Sequence, residues 1–123
     1  MAKMIRMTID GRDVSFVCTS RDTRSGFAHD ATIFINGLDC GSATCHYINR
    51  TWERYSYESV CLSVVSGLID RRKARLKDDY KDANGLTRLC GVKHKAALAA
   101  MIDSDDRIAL LRKVRDDLRT KMY

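Results

Sequence analysis

Residues 47–60 have the sequence Tyr-Ile-Asn-Arg-Thr-Trp-Glu-Arg-Tyr-Ser-Tyr-Glu-Ser-Val. This corner segment carries the only Trp of the chain and three of its five Tyr. Before it, apolar residues alternate as they do in strands, and after it they recur at helical spacing. The change of period predicts an α+β fold in which a small antiparallel sheet is followed by helices.

The residues before the corner segment predict a meander of four antiparallel strands. In the first strand, Ile5 and Met7 would share one face of the sheet because side chains alternate along a strand. The continuous apolar run at 32–35 predicts a central strand that is covered on both faces. The predicted strands span residues 3–9, 14–19, 27–35 and 38–48.

Three connections between these strands can be predicted from their residue types. Asp-Gly at 10–11 and Asn-Gly at 36–37 are strong signals for short hairpin turns. Gly41 predicts a bulge in the fourth strand, since glycine inside a strand often marks one. The polar residues 20–26 predict a loop between the second and third strands.

The residues after the corner segment predict three helices. Apolar positions 57, 60, 61, 64, 65, 68 and 69 follow the period of a long amphipathic helix, which would end at residues 82–85. Residues 86–102 predict a second helix, either continuous or broken at Gly91. Ser104 with the two following aspartates predicts the start of a third. We expect a single domain over 1–123, with a ββββα unit at 1–84 and a helical extension at 85–123.

Composition narrows the possible functions of the chain but does not identify one. The chain has 123 residues and a formal net charge of +6, from 22 Lys and Arg against 16 Asp and Glu. Such a charge favours approach to polyanions or to an acidic protein face. No apolar run is long enough for a membrane span or a secretory signal, which predicts a cytoplasmic protein without membrane contact. Five Cys in that compartment are expected to be reduced thiols.

The sequence does not assemble a catalytic or metal-binding pattern. The nucleophile-elbow, P-loop and HExxH motifs are absent, and His29, His46 and His94 fall on elements of different kinds. Cys40 and Cys45 form one loose pair of thiols, whereas a structural zinc site usually has two tight pairs. We therefore expect neither an enzyme nor a cofactor or metal, and we interpret the chain as a binding protein.

Basic residues are the candidates for contact with a partner. They fall on the predicted loop 20–26, in the corner segment, and in the C-terminal part of the long helix, which holds the densest basic cluster. Trp52 predicts either a hydrophobic plug or an interface anchor. The candidate binding residues are Arg21, Arg24, Arg50, Arg54, Arg71, Arg72, Lys73 and Arg75.

The corner segment resembles a segment of small proteins from phages and mobile elements of Gram-positive bacteria. The shared pattern is Tyr-x-Asn-Arg-Thr-Trp-Glu-x-Tyr-x-Tyr-x-Ser-Val. The resemblance implies a phage-type inhibitor of host defence, similar to anti-CRISPR proteins, acting in the bacterial cytoplasm. Such an inhibitor would bind stoichiometrically to a host protein or nucleoprotein complex such as a CRISPR effector. The alternative is a stand-alone DNA- or RNA-binding regulatory protein that uses the same basic face.

Overall fold

Four strands form one antiparallel sheet in which each strand pairs with its neighbour in the chain. The computed structural model describes residues 2–48 and 57–122, with the backbone alone described at 121–122. The strands are β1 (Ala2–Ile9), β2 (Arg12–Asp22), β3 (Phe27–Ile35) and β4 (Leu38–Tyr47). Their order in the sheet is β1-β2-β3-β4, so the predicted meander is confirmed.

Several predictions made for the corner segment lie outside the described residues. They concern the candidate contacts Arg50 and Arg54 and the plug or anchor at Trp52. These expectations stay predictions.

Both predicted hairpin turns are confirmed by backbone angles. Asp10 and Gly11 have φ angles of 51° and 76°, and Asn36 and Gly37 have φ angles of 50° and 80°. Positive φ at both central residues is the requirement of a type I′ turn. The side chain of Asn36 also accepts a hydrogen bond from the backbone N–H of Asp13 at 3.0 Å, which ties the turn to β2.

The predicted bulge in the fourth strand is confirmed. Ile33 pairs with Gly41 and Phe34 pairs with Asp39, so Cys40 has no partner across the ladder. One extra residue on one strand defines a β-bulge.

Two details of the predicted sheet are wrong. β2 continues to Asp22 because residues 20–22 pair with residues 27–29 of β3, which are buried. Arg21 is therefore a strand residue, and the loop is confined to 23–26. In addition, the predicted burial of both faces of β3 is not found, since Thr32 and Phe34 are only half-buried. An antiparallel sheet commonly has one covered and one open face.

Three helices follow the sheet: α1 (Glu58–Ala83), α2 (Val92–Ser104) and α3 (Asp106–Met122). The predicted apolar stripe of α1 is confirmed, and its buried residues include Val60, Val64 and Ile69. The predicted start of α2 at residue 86 is wrong, and the alternative of a break at Gly91 is found. Gly91 has a φ of 92°, which an α-helix does not allow, so the helix begins directly after it.

Helices α1 and α3 cover one face of the sheet. α1 lies on β3 and β4 and packs against α3, which reaches β1. Phe16 and Ile33 of the sheet, Val64 of α1 and Leu111 and Leu118 of α3 are all at most 1% exposed. Full burial of such a side chain stabilises the fold by roughly 1.5–3 kcal/mol. The result is the two-layer α+β architecture that the change of period predicts.

Two glycines with opposite surroundings test this packing. A Cβ on Gly26 would collide with the backbone of Tyr47 and Ile48, whereas a Cβ on Gly67 inside α1 would meet only Arg71, at 3.7 Å. We expect Gly26→Ala to lower the free energy of unfolding by roughly 1–3 kcal/mol through overpacking. Gly67→Ala should raise it by about 0.5–1 kcal/mol, because alanine favours the helix. Urea denaturation measures both, and a neutral Gly26→Ala would contradict the close backbone approach.

Candidate binding site

A cleft of about 720 Å³ opens between the hairpin end of the sheet and the junction of α2 with α3. Arg12 and Leu38 lie on its sheet side, and Arg72, Asp105 and Arg107 lie on its helix side. Pockets of this volume are typical of ligand-binding sites. The cleft brings together residues that are far apart in the sequence.

The floor of the cleft is apolar and its rim is partly charged. Ile35, Leu76 and Leu110 line the floor and are only 5–8% exposed. Leu38, at the edge, is 71% exposed, so its side chain is accessible to a ligand in the cleft. An exposed leucine beside a buried aliphatic floor is surface that a partner could cover.

Arg12 and Arg107 supply positive charge at this rim. Both side chains are exposed, and neither forms an ion pair with a carboxylate of residues 2–48 or 57–120. Arg12 begins β2, and Arg107 is in the first turn of α3. The two guanidinium groups therefore come from separate elements and remain available to an acidic ligand.

Arg72, a candidate contact residue, already has an internal partner. Its Nη2 donates to Oδ1 of Asp105 at 2.8 Å, and its Nε donates to Oδ2 at 3.2 Å. Two parallel hydrogen bonds between guanidinium and carboxylate make a strong, geometrically specific pair. The pair forms one wall of the cleft and holds α1 against the α2–α3 junction.

Asp105 also organises the two helices on either side of it. Its backbone N–H donates to the carbonyl of Ile102 at the end of α2. Its Oδ2 accepts the backbone N–H of Ile108 at 3.0 Å, which is an N-cap for α3. The hydrogen bond from Arg72, aided by the one from Ile108, holds the pKa of the Asp105 carboxyl below its ordinary value despite partial burial.

The other cations predicted on α1 differ in how they are paired. Arg75 lies 3.5 Å from Asp79, one turn later, and both side chains are more than half exposed. Arg71 is exposed, and its Nε donates to the backbone carbonyl of Gly67 at 3.3 Å. Lys73 is half-buried and forms no ion pair with a carboxylate in the described part of the chain. Arg71 thus adds a free positive charge close to the β4 bulge.

Arg21 and Arg24 lie at the opposite end of the sheet from the cleft. Arg21 pairs with Asp30 on β3 at 2.9 Å, and Arg24 is exposed in the loop 23–26. The hydrogen bond from Thr44, with that from Arg21, holds the pKa of the Asp30 carboxyl below its ordinary value. At 3.4 Å per residue, the length of β2 separates these arginines from Arg12 by roughly 30 Å. The predicted basic residues therefore do not form one surface.

Sequence reasoning missed Arg107 and Leu38 as site residues. Each stands beside ordinary polar or turn residues, and nothing in its local pattern indicates a cleft. Only the meeting of the β3–β4 turn with the α2–α3 junction brings them together. No signal in a single sequence reports a contact of that kind.

A partly buried hydrogen-bond network joins three polar side chains between the sheet and the start of α1. The Ser20 hydroxyl lies 2.7 Å from Nδ1 of His29 and 2.7 Å from the Tyr57 hydroxyl. His29 is 2% exposed, and its Nε2 has no hydrogen-bond partner within the described residues. Its ring also contacts Phe27, Tyr47 and Tyr57, with centroids 4.5–5.4 Å away. In the sequence, Phe27, His29, Ala31 and Ile33 are spaced two residues apart, and this period could have predicted the inward position of His29.

This network has the features of a structural polar cluster. A serine hydrolase needs a serine that is exposed to substrate and a histidine oriented by a carboxylate through its second nitrogen. Here Ser20 is shared by two partners, and the second nitrogen of His29 faces no acid among the described residues. The cluster instead gives hydrogen-bond partners to Nδ1 of His29 and to the Tyr57 hydroxyl at the sheet–helix interface.

All five cysteines are free thiols. Cys18 of β2 and Cys61 of α1 are buried, with their Sγ atoms 3.5 Å apart. The hydrogen bond to Cys18, together with burial, raises the pKa of the Cys61 thiol. In residues 2–48 and 57–122, no three His, Cys, Asp or Glu side chains are grouped as metal ligands.

Within the described parts of the chain, no helix has the length and apolar character needed to cross a membrane. Comparison of the chain with protein-family models, with characterised proteins and with solved structures finds no match. Function is therefore inferred from the geometry of the residues themselves.

The Arg72–Asp105 pair predicts a pH-dependent stability. The pKa of folded Asp105 lies below the value of about 3.9 expected for an unfolded chain. Its stabilisation is therefore complete above that pH and is lost as the pH falls through the folded-state pKa. At pH 7, Asp105→Ala should lower the free energy of unfolding by more than the roughly 1 kcal/mol that loss of an N-cap costs. Below pH 4, the difference in unfolding free energy between the wild type and Asp105→Ala should become smaller. Urea denaturation followed by circular dichroism measures this difference.

Asp106→Ala is the matched control for this prediction. Asp106 is adjacent, exposed and in the first turn of α3, but no described cation pairs with it. At pH 7, Asp106→Ala should lower the free energy of unfolding by less than Asp105→Ala does. Equal losses from the two variants would contradict the role assigned to Asp105.

Removal of the Ser20 hydroxyl tests the buried network. Ser20→Ala would leave Nδ1 of His29 and the Tyr57 hydroxyl without the partner they share. We expect a loss of roughly 1–3 kcal/mol in unfolding free energy, the cost of unsatisfied buried polar groups. Ser42→Ala, at an exposed position of β4, should be close to neutral. A Ser20→Ala variant as stable as the control would contradict a structural role.

Proposed function

We propose that this protein is a non-catalytic binding protein that acts stoichiometrically on a partner with an acidic surface. The proposal rests on which positively charged side chains of the cleft lack an ion-pair partner. Arg12 and Arg107 flank an apolar floor, and no carboxylate of the described residues neutralises them. Charged side chains beside apolar surface give an interface its orientation and its association rate.

The neighbouring side of α1 extends this basic surface. Arg71 is exposed and lies beside Gly41, next in the chain to the cleft residue Cys40. Lys77 is also exposed on α1 and forms no ion pair with a described carboxylate. These charges would add long-range attraction to an acidic partner, in keeping with the net charge of +6.

The specific form of the proposal is a phage-type inhibitor of a host nucleoprotein defence enzyme, similar to anti-CRISPR proteins. The resemblance of residues 47–60 to phage and mobile-element proteins supports this form. A cleft with both apolar and cationic parts suits docking on the protein component of such an enzyme in the bacterial cytoplasm. Inhibition would then follow from occupation of a surface that the enzyme needs.

A stand-alone DNA- or RNA-binding regulatory protein is the second candidate. The net charge of +6 and the unpaired cations of α1 favour it, because phosphate contacts are made by Lys and Arg. The two candidates differ in salt dependence. Phosphate binding weakens steeply as salt rises, whereas an interface with an apolar centre is affected much less.

A pull-down from bacterial lysate tests the proposed function. Tagged wild-type protein and Arg12→Glu/Arg107→Glu would be incubated with lysate, with and without nuclease, at moderate and high salt. We expect a protein partner, identified by mass spectrometry, that survives nuclease treatment. Its recovery on the double variant should fall roughly tenfold, because two favourable charges become repulsive.

Lys93→Glu/Lys95→Glu is the matched control for the charge change. Both lysines are exposed on α2 and do not line the cleft. This variant should retain the partner as the wild type does. Recovery of nucleic acid alone, lost at high salt, would favour the second candidate, and equal retention on both double variants would contradict the cleft as the docking site.

A further inference from the structure

We infer that the cleft binds an extended protein segment in which a carboxylate side chain lies beside a large aliphatic side chain. The inference rests on the proposed function and adds the chemistry of the segment that is bound. It draws on three properties of the cleft: its apolar floor, its two unpaired arginines and the sign of its remaining charges.

The apolar floor would take the aliphatic side chain. Ile35, Leu76 and Leu110 come from β3, α1 and α3, so three rigid elements fix its shape. Leu38 at the rim is 71% exposed, and a ligand in the cleft would cover part of its side chain. A volume of about 720 Å³ accommodates several side chains of a peptide rather than one small ion.

The unpaired arginines would take the carboxylate. A guanidinium group presents a planar fork of donors that matches the two oxygens of a carboxylate. Arg107 is in the first turn of α3, where the helix dipole also favours negative charge. The Arg72–Asp105 pair holds the wall between α1 and α3 in place before binding, which lowers the cost of ordering the site.

The remaining charges of the cleft argue against a nucleic-acid strand. Asp105 and Asp106 line the same cleft as the three arginines. A continuous phosphate backbone would bring negative charge close to both carboxylates, whereas a single side-chain carboxylate can meet the arginines alone. Among residues 2–48 and 57–120, no aromatic side chain lines the cleft, and base stacking on aromatic rings is the usual source of single-strand affinity.

Selection from a peptide library tests the inference without knowledge of the natural partner. A phage-displayed library of random dodecapeptides would be selected on the immobilised full chain. Enriched peptides would then be synthesised with a fluorophore, and their Kd measured by fluorescence anisotropy. We expect enriched sequences with Asp or Glu within two positions of Leu, Ile, Met or Phe.

Variants of the cleft give the decisive measurement. Arg12→Glu/Arg107→Glu should weaken the selected peptides roughly tenfold or more, and Leu38→Ala should weaken them several-fold. Glu at position 107 is favourable in the first turn of a helix, so this change should preserve the fold. Lys93→Glu/Lys95→Glu, with the same charge change outside the cleft, should bind as the wild type does. Circular dichroism checks that each variant is folded.

Several results would overturn the inference. Enriched peptides that lack a carboxylate, or that bind the cleft variants unchanged, would do so. So would a fluorescent single-stranded 20-mer oligonucleotide whose binding depends on Arg12 and Arg107. A wild-type dimer in sedimentation that becomes a monomer on Arg12→Glu/Arg107→Glu would assign the cleft to a second copy of the chain.

Failure of this inference is distinguishable from failure of the proposed function. If the lysate yields a partner whose retention is unaffected by the cleft variants, stoichiometric binding stands and the cleft assignment fails. If selected peptides bind the cleft but the lysate yields no partner, the chemistry of the cleft stands and the proposed function fails.

Discussion

The ion pair between Arg72 and Asp105 links the three helices to one another. Asp105 lies where one helix ends and the next begins, and its carboxylate faces both the N-terminus of α3 and a guanidinium group of α1. One side chain therefore connects the α2–α3 junction to the long helix and caps α3 at the same time. The apolar core also holds these helices on the sheet, since it joins Val64 of α1 and Leu111 of α3 to Phe16 of β2. The ion pair adds a specific polar contact to this packing.

The Arg72–Asp105 pair is one example of positive charge that is neutralised within the protein. A sequence with 22 basic residues suggests one broad basic face, but much of the charge is neutralised locally. Arg21, Arg72 and Arg75 each have a carboxylate within 3.5 Å. The charges left for a partner are fewer and more specifically placed, and two of them flank an apolar surface. Binding at such a site would depend on shape as well as on attraction.

Local patterns predicted most of the fold. The strand alternation, the Asn-Gly turn and the apolar stripe of α1 each concern residues close together in the sequence, where propensity and pattern decide the structure. The errors have tertiary causes. Residues 20–22 look like a polar loop, yet pairing with the buried start of β3 keeps them in the strand. The start of α2 depends on the backbone angle of Gly91, which apolar spacing does not report.

The site could not be predicted to the same extent, since its residues meet only in the folded chain. Arg72 was recognisable as a basic helix residue, but its partner is Asp105, which has the local pattern of a helix cap and nothing more. Leu38 follows a turn and Arg107 follows a cap, so each has a sufficient local explanation. The cleft forms where the β3–β4 turn approaches the α2–α3 junction. In a single sequence, the residues of either segment give no local signal that the two segments meet.

The bulge at Cys40 has a consequence for how such a protein could diversify. The ladder on either side of it pairs without that residue, and its side chain lines the cleft. A change at position 40 would alter the wall of the cleft without changing the residues of the Asn36-Gly37 turn or the strand pairing on either side. Under the proposed function, sequence drift at this one position could therefore change the fit of a partner without moving the turn or the strand register.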